Sequence, residues 1–211
     1  MLSNAMPRSK RRSFRRKKPA GRIAVIVLAA ALLVAVGIFY IVQYQRNLMY
    51  AQYPLSYKEL IVRMAEEYDL DPWHIAAVIR CESSFNAGAT SSAGARGLMQ
   101  IMPDTGQWLA GKFNEDDGFD AETLYNPETN MKYGCWYLRW LMNRYHRDLV
   151  LVTSAYHAGH GTVDKWLADS YISPDGQTIS PEAIPYVSTA NYVTKILKAC
   201  EKYEELYDYE I

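Results

Sequence analysis

Glu82 is the residue whose type and setting point most directly to chemistry. It follows Trp73, Ile75, Ala76, Val78 and Ile79, whose helix-like spacing buries one face. Beyond Phe85 come eleven residues, Asn86 to Arg96, dominated by Gly, Ala, Ser and Thr, a composition that ends a helix and suits a loop folded close against something. A carboxyl group is thereby placed at a helix end, beside apolar side chains and facing small residues. Burial there disfavours the charged form, so the acid can stay protonated near neutral pH and serve as a proton donor. From position alone the same glutamate also fits a surface residue that closes a helix.

The other chemistry-bearing types form less complete sets. His157 and His160 have only Asp164 nearby, an incomplete ligand set, so no metal is expected. Cys81, Cys135 and Cys200 make an odd count without short metal-ligand spacing, and each falls in a predicted helix among apolar neighbours, where cysteine acts as a small hydrophobe. A bridge between one pair in an oxidising exterior stays open. The acids nearest Glu82 in sequence, Asp69, Asp71 and Asp104, lie in no motif that recommends them as a second carboxylate.

The elements that must position Glu82 are helical. Ser56-Tyr57-Lys58-Glu59 fits a capping box before an apolar face of Leu60, Ile61, Met64, Ala65 and Tyr68, and that helix ends near Asp69. Asp71-Pro72 supplies an N-cap and a first-turn proline to the helix carrying Glu82. Pro103 to Lys112 follows as a helix, then an acidic loop from Asn114 to Asp120. Pro127 to Tyr145 is the longest helix after the N-terminal segment and the expected packing spine. Asp148 caps a helix ending at Gly159, Gly161 to Ala168 is a short helical piece, and Asp169 to Pro185 is a proline-containing loop. Thr189 to Tyr207 closes the chain as a helix. With no internal repeat and no alternating strand pattern, the fold class is mainly α.

The net charge of zero hides a division: residues 1–22 carry nine Lys or Arg and no acid, 23–42 carry no charge, and the remainder has 14 bases against 23 acids. The uncharged run Ile23–Val42 is 20 residues, which as a helix is about 30 Å long and matches a bilayer's hydrocarbon core. Its length favours a single transmembrane helix over a cleaved signal peptide. The basic run before it is read as a cytoplasmic tail attracted to anionic lipid and not as a nucleic-acid arm, which puts the chain from residue 43 onward outside the membrane. The expected organisation is a cytoplasmic tail at 1–22, a transmembrane helix at 23–42, a linker at 43–55 and a catalytic domain at 56–211. The protein is thus expected in the cytoplasmic membrane, single-pass, with that domain on the extracytoplasmic side.

Several segments stand out in order: Glu82-Ser83-Ser84-Phe85 with Ala89 to Pro103, then Asn126 to Asn130 running to Gly134 and Tyr137-Leu138. Ser154-Ala155-Tyr156-His157-Ala158-Gly159, Ile184-Pro185-Tyr186 and Tyr192-Val193 follow. Together they resemble the motifs of the soluble-lytic-transglycosylase-like family, relatives of goose-type lysozyme. The resemblance covers roughly residues 56 to 208 and implies a lysozyme-like domain acting on peptidoglycan glycan strands, which makes the extracytoplasmic side the cell-wall side.

As the resemblance implies, Glu82 is the catalytic residue of a murein lytic transglycosylase that needs no cofactor. It protonates the bond between N-acetylmuramic acid and N-acetylglucosamine, the muramyl N-acetyl group assists departure, and the muramyl 6-hydroxyl closes onto the anomeric carbon as a 1,6-anhydro end. Ser91, Met99, Gln100, Tyr156, His157 and Tyr192 match family positions that bind the substrate. The chain departs from the family where His157 replaces Asn, and where Ser188 and Ala190 replace Glu and Arg around Thr189. An imidazole at 157, with a pKa of about 6.5, would gain charge between pH 5 and 8 where Asn would not. A hydrolytic muramidase and an inactive glycan-binding scaffold remain the alternatives; protein partners are not legible.

Overall fold

The computed structural model describes residues 20–207; the basic run through Lys18 lies outside the described residues. Helix α1 spans Ala20–Gln52, 33 residues, or about 50 Å at 1.5 Å per residue. It is long and apolar enough to cross a membrane, and the side chains of its apolar run are exposed. The helix runs through most of the expected linker because residues 43–52 contain neither Gly nor Pro, and Pro54 is the first breaker.

A second compact unit begins at Met49, ahead of the boundary expected at residue 56. Aromatic hydroxyls from the chain's last helix explain the early start. Tyr207 donates to the Tyr53 carbonyl at 2.8 Å and Tyr203 to the Pro54 carbonyl at 2.9 Å.

This unit holds α2 (Lys58–Tyr68), α3 (Pro72–Ser83), α4 (Pro103–Lys112), α5 (Pro127–Arg144), α6 (Leu149–Ala158), α7 (His160–Leu167) and α8 (Val187–Tyr207). Short 3-10 turns lie at Ala121–Tyr125 and Pro181–Ala183. The domain is mainly helical, and two isolated bridges, Thr90 to Arg96 and Arg96 to Ile101, are its β pairings among the described residues. Three helix starts follow their caps: Asp71 accepts from the Trp73 amide, Asn126 from those of Glu128 and Thr129, and Asp148 from that of Leu151. The capping box at Ser56 does not form. Tyr57 occupies the N-cap in the left-handed region, φ 59°, and makes no side-chain capping bond.

Helix α5 packs against α2, α4, α6 and the Ala121–Tyr125 turn, as a spine does, but at 18 residues it is shorter than α8, which has 21. The most evenly buried helix is α3: Ile75 to Ile79 are all at most 1% exposed, and it packs chiefly on α8. The reason is composition: from Trp73 to Ile79 the one polar side chain is His74, whereas α5 keeps Trp136, Tyr137, Arg139 and Trp140 partly at the surface. His74 is fully buried, and burial pulls its pKa down to about 4, so it sits neutral in the core. This deep helix carries Glu82 in its last turn.

Candidate active site

The end of α3 is fixed from two directions. The Ser84 amide donates to the Arg80 carbonyl from the left-handed region, φ 51°, which terminates the helix. The Ser83 hydroxyl donates to the Leu98 carbonyl at 2.8 Å, tying the helix end to the small-residue loop. Glu82 is thereby held half-buried, and the Tyr192 hydroxyl of α8 donates to its Oε1 at 2.6 Å. Burial raises the Glu82 pKa above the ordinary glutamate value, and the Tyr192 bond, which favours the ionised form, opposes it less strongly. No second carboxylate perturbs it among the described residues. Asp69 is engaged by Arg139 and Arg147, and Asp71 caps α3.

The loop next to Glu82 satisfies most of its polar groups internally. Arg96 and Ile101 exchange both backbone bonds, at 2.9 and 3.0 Å. Asn130, fully buried on α5, accepts from the Met99 amide at 2.7 Å and donates to the carbonyls of Arg96 and Leu124. Gly97 makes that knot possible: a Cβ there would lie 2.2 Å from the Leu124 carbonyl oxygen, and its φ is +77°. Ser91 accepts from the Ala95 amide at 3.0 Å, and the Gln100 amide nitrogen donates to the carbonyls of Ala89 and Gly97. Both expected substrate contacts therefore hold the loop's own shape; the Ser91 hydroxyl proton and the Gln100 carbonyl oxygen are not used in these bonds.

Met99 departs from its expected part. Its side chain is 0% exposed and fills the space over Gly134, where an added Cβ would come within 2.3 Å of the sulfur. Apolar contact with a ligand is closed to it because the sequence pairs a long side chain with a glycine across the packed interface. Its backbone contributes instead, the carbonyl accepting from the Tyr156 hydroxyl at 2.8 Å. Tyr156 lies near enough for the Glu82 charge to help burial raise its pKa.

His157, at the end of α6, faces α8. Its Nδ1 lies 3.1 Å from the Thr189 Oγ1, and its ring centroid is 4.6 Å from that of Tyr192. Burial lowers its pKa. His160 meets the Trp140 ring instead, and Asp164 is held by Arg144 and Tyr145, so the three do not converge. The structure thus joins Glu82, Tyr192 and His157 in one chain of contacts, places Tyr156 and the Met99 backbone beside it, and leaves Ser91 and Gln100 in the loop. Sequence reasoning does not find Asn130 and Thr189 as supporting residues. The available signal for Asn130 is an amide on the stripe Asn130, Gly134, Leu138, Leu141, otherwise apolar or small and wholly buried. Cys81, Cys135 and Cys200 are unbridged.

A partly buried glutamate at the end of a core helix, bonded by a tyrosine and flanked by a knotted glycine-containing loop, defines a lysozyme-like helical domain. The family profile of the Transglycosylase SLT domain matches residues 59–178, and the chain belongs to that family. It is 34% identical over 146 residues to the soluble lytic murein transglycosylase of Salmonella typhimurium, covering 69% of this chain and 22% of the relative. It is also 34% identical over 166 residues to membrane-bound lytic murein transglycosylase C of Actinobacillus pleuropneumoniae, covering 70% and 46%. The 70 kDa soluble lytic transglycosylase of Escherichia coli superposes with TM-score 0.68 at 30% identity, over 74% of this chain and 25% of that one. An inactive glutamate-to-glutamine mutant of Slt from Pseudomonas aeruginosa superposes with TM-score 0.65 at 31% identity, over 74% and 25%. The chain thus spans less than half the length of these relatives.

Proposed function

We propose that the chain is a membrane-anchored murein lytic transglycosylase whose Glu82 is both acid and base. The observation that carries this is the environment of Glu82: a carboxyl whose pKa burial raises, bonded by the Tyr192 hydroxyl, with no second carboxylate acting on it among the described residues. A lone acid suits a reaction in which the substrate supplies its own nucleophile. Glu82 gives its proton to the glycosidic oxygen as the bond to the muramyl C1 breaks, with the muramyl N-acetyl group stabilising the electron-poor carbon. The 6-hydroxyl oxygen then bonds to C1, its proton passes to the Glu82 carboxylate, and the acid is regenerated without water. Because the 6-hydroxyl belongs to the same sugar, its effective concentration exceeds that of a water lacking a base to activate it. The Pseudomonas aeruginosa relative that is inactive as a glutamate-to-glutamine mutant supports a decisive glutamate. Anchoring by α1, with the N-terminus in the cytoplasm and the domain facing the wall, completes the reading.

The test is digestion of purified peptidoglycan with product masses read by mass spectrometry. Fragments should end in 1,6-anhydro-N-acetylmuramic acid, lighter by one water than hydrolysis products. Glu82→Gln should keep the fold and the Tyr192 bond but lose about 10³-fold in turnover, within the range for removing a general acid. Reducing muramyl ends would make the protein a hydrolase, and substantial activity in the variant would remove Glu82 from its role.

A further inference from the structure

Helix α1 runs on to Gln52, and its residues from Met49 belong to the second compact unit. Three consecutive carbonyls there each take a side-chain donor from α3 or α8. The Arg80 Nε donates to Gln52 at 3.0 Å, the Tyr207 hydroxyl to Tyr53 at 2.8 Å and the Tyr203 hydroxyl to Pro54 at 2.9 Å. Tyr50 returns a bond, its hydroxyl donating to the Leu206 carbonyl at 3.2 Å. A helix leaves its last carbonyls without intrahelical partners and carries partial negative charge at that end, so the Arg80 guanidinium both satisfies an acceptor and brings the favoured charge. It also lies 4.3 Å from the centroid of the Tyr53 ring, which packs edge-to-face at 5.7 Å on Tyr203, wholly buried on α8. Arg80 stands in the last turn of α3, two residues before Glu82, and lines a cleft of about 600 Å³ with His157, Ser188, Asn191, Tyr192 and Lys195. Its carbonyl closes that turn by accepting from the Ser84 amide at 3.1 Å. Ser83 ties the helix end to the loop and Tyr192 ties Glu82 to α8, while the Arg80 side chain ties the same turn to the end of α1.

We propose that residues 49–54 are a positioning element of the active site, a role that rests on Glu82 being the acid that cleaves murein. Through the Gln52 carbonyl and the Tyr53 ring they hold Arg80, and through Arg80 they hold the turn that aims Glu82 at the glycosidic oxygen. Tyr53 is not among the residues that line the cleft, so its effect on turnover passes through what it holds. Placement of this kind matters to rate, since a displacement of about 1 Å at a distance from the chemistry can cost about 100-fold. The catalytic unit is thereby complete only with the last residues of α1.

The test compares full-length chains in nonionic detergent: unchanged, Tyr53→Phe, Tyr53→Ala, Arg80→Ala and the double alanine variant, each with its unfolding midpoint recorded. On purified peptidoglycan Tyr53→Ala should lower kcat about tenfold with KM within about twofold, a partial misplacement of the acid. The same variant should speed hydrogen exchange of the Ser84 amide. Tyr53→Phe keeps the ring beside the guanidinium and should keep both readouts at their original values. Because Tyr53 acts through Arg80, the double variant should be no slower than Arg80→Ala alone, whereas independent residues would multiply their losses. An unchanged kcat in Tyr53→Ala, an effect on KM alone, multiplied losses, or an equal loss in Tyr53→Phe overturns the proposal. Should Tyr53→Ala fail to fold, Tyr53→Leu, which fills the space without an aromatic face, takes its place under the same criteria. Exchange at Ser84 is read without turnover, so if the unchanged chain cleaves nothing the cleavage reading falls, and the exchange rates still decide whether residues 49–54 hold the turn. Turnover by the unchanged chain, with neither kcat nor exchange altered in Tyr53→Ala, retains the cleavage reading and rejects the positioning element.

Discussion

On one side of Glu82 the segment from Ala89 to Ile101 ties much of its backbone to itself and to Asn130, whereas on the other side the start of α8 leaves Ser188 and Asn191 exposed. In the loop, Gly97, Leu98, Met99 and Ile101 are buried and their backbone is bonded. At the start of α8, Tyr186 and Val187 are 54% and 73% exposed, and Ser188 and Asn191 are open to the cleft. Glu82 touches both regions, through Ser83 on the loop side and through Tyr192 on the other. Chemistry needs fixed geometry and ligand choice tolerates exchange of side chains, so the loop should resist substitution and the α8 start should accept it.

The hardest test of that contrast is Asn130→Ala. It leaves the Met99 amide and the Leu124 carbonyl without the Asn130 partner, while the Arg96 carbonyl keeps its bond from the Ile101 amide, and at about 1–3 kcal/mol for an unsatisfied buried group the variant should lose about 3 kcal/mol. Thermal unfolding should show a midpoint lower by about 6–12 °C for a chain of this size. Ser188→Ala, at an exposed position on the cleft wall, should stay within about 0.5 kcal/mol. Similar shifts in the two variants would dissolve the contrast.

Much of the fold is legible where one residue decides a local event. Asp71, Asn126 and Asp148 each cap the helix they precede, since a short acceptor before an apolar periodic run has little else to do there. Pattern misleads where tertiary contacts decide. Ser56 has capping chemistry, yet the chain enters α2 through Tyr57 in the left-handed region, with the Tyr53 and Pro54 carbonyls just upstream occupied by Tyr207 and Tyr203. Glu82 is legible as an acid at a helix end. The Asn130 knot is not, because it joins groups 31 and 34 residues apart and no local period encodes that. Met99 shows the same limit, since its burial depends on Gly134 arriving from another helix.

A smaller effect should follow from Tyr192→Phe, which keeps the ring on α8 and removes the hydroxyl bonded to Glu82. Without it burial acts unopposed, so the Glu82 pKa rises further and the high-pH limb of activity, where the donor loses its proton, moves to higher pH. Loss of the orienting bond should lower kcat about tenfold, which corresponds to about 1.4 kcal/mol. An unchanged profile with unchanged kcat would show that Tyr192 merely packs.

The smallest effect concerns His157, the side chain from α6 that meets the exposed start of α8. The sequence alone suggests an imidazole titrating near pH 6.5, but burial moves it below that value. Its surroundings agree: Thr189 supplies a neutral hydroxyl, Tyr192 a neutral ring, and the same cleft carries Arg80 and Lys195, whose charges disfavour a third. His157 is therefore mostly neutral above pH 6.5, where Asn is neutral as well. Profiles of kcat/KM for the unchanged chain and His157→Asn should run parallel there and within about threefold, diverging only below pH 6.5 as the imidazole charges. Stability has a matching sign. A folded pKa below the unfolded one means the unfolded state binds more protons, so the stability that neutral His157 contributes is present above pH 6.5 and is lost as pH falls. His74, held near 4 in the core, acts in the same direction in both proteins, so short assays and unfolding curves at each pH are needed to isolate the difference. An inflection at or above pH 6.5 in the unchanged chain, absent from His157→Asn, would place the imidazole in a more open or more acidic setting than α6 and α8 give it.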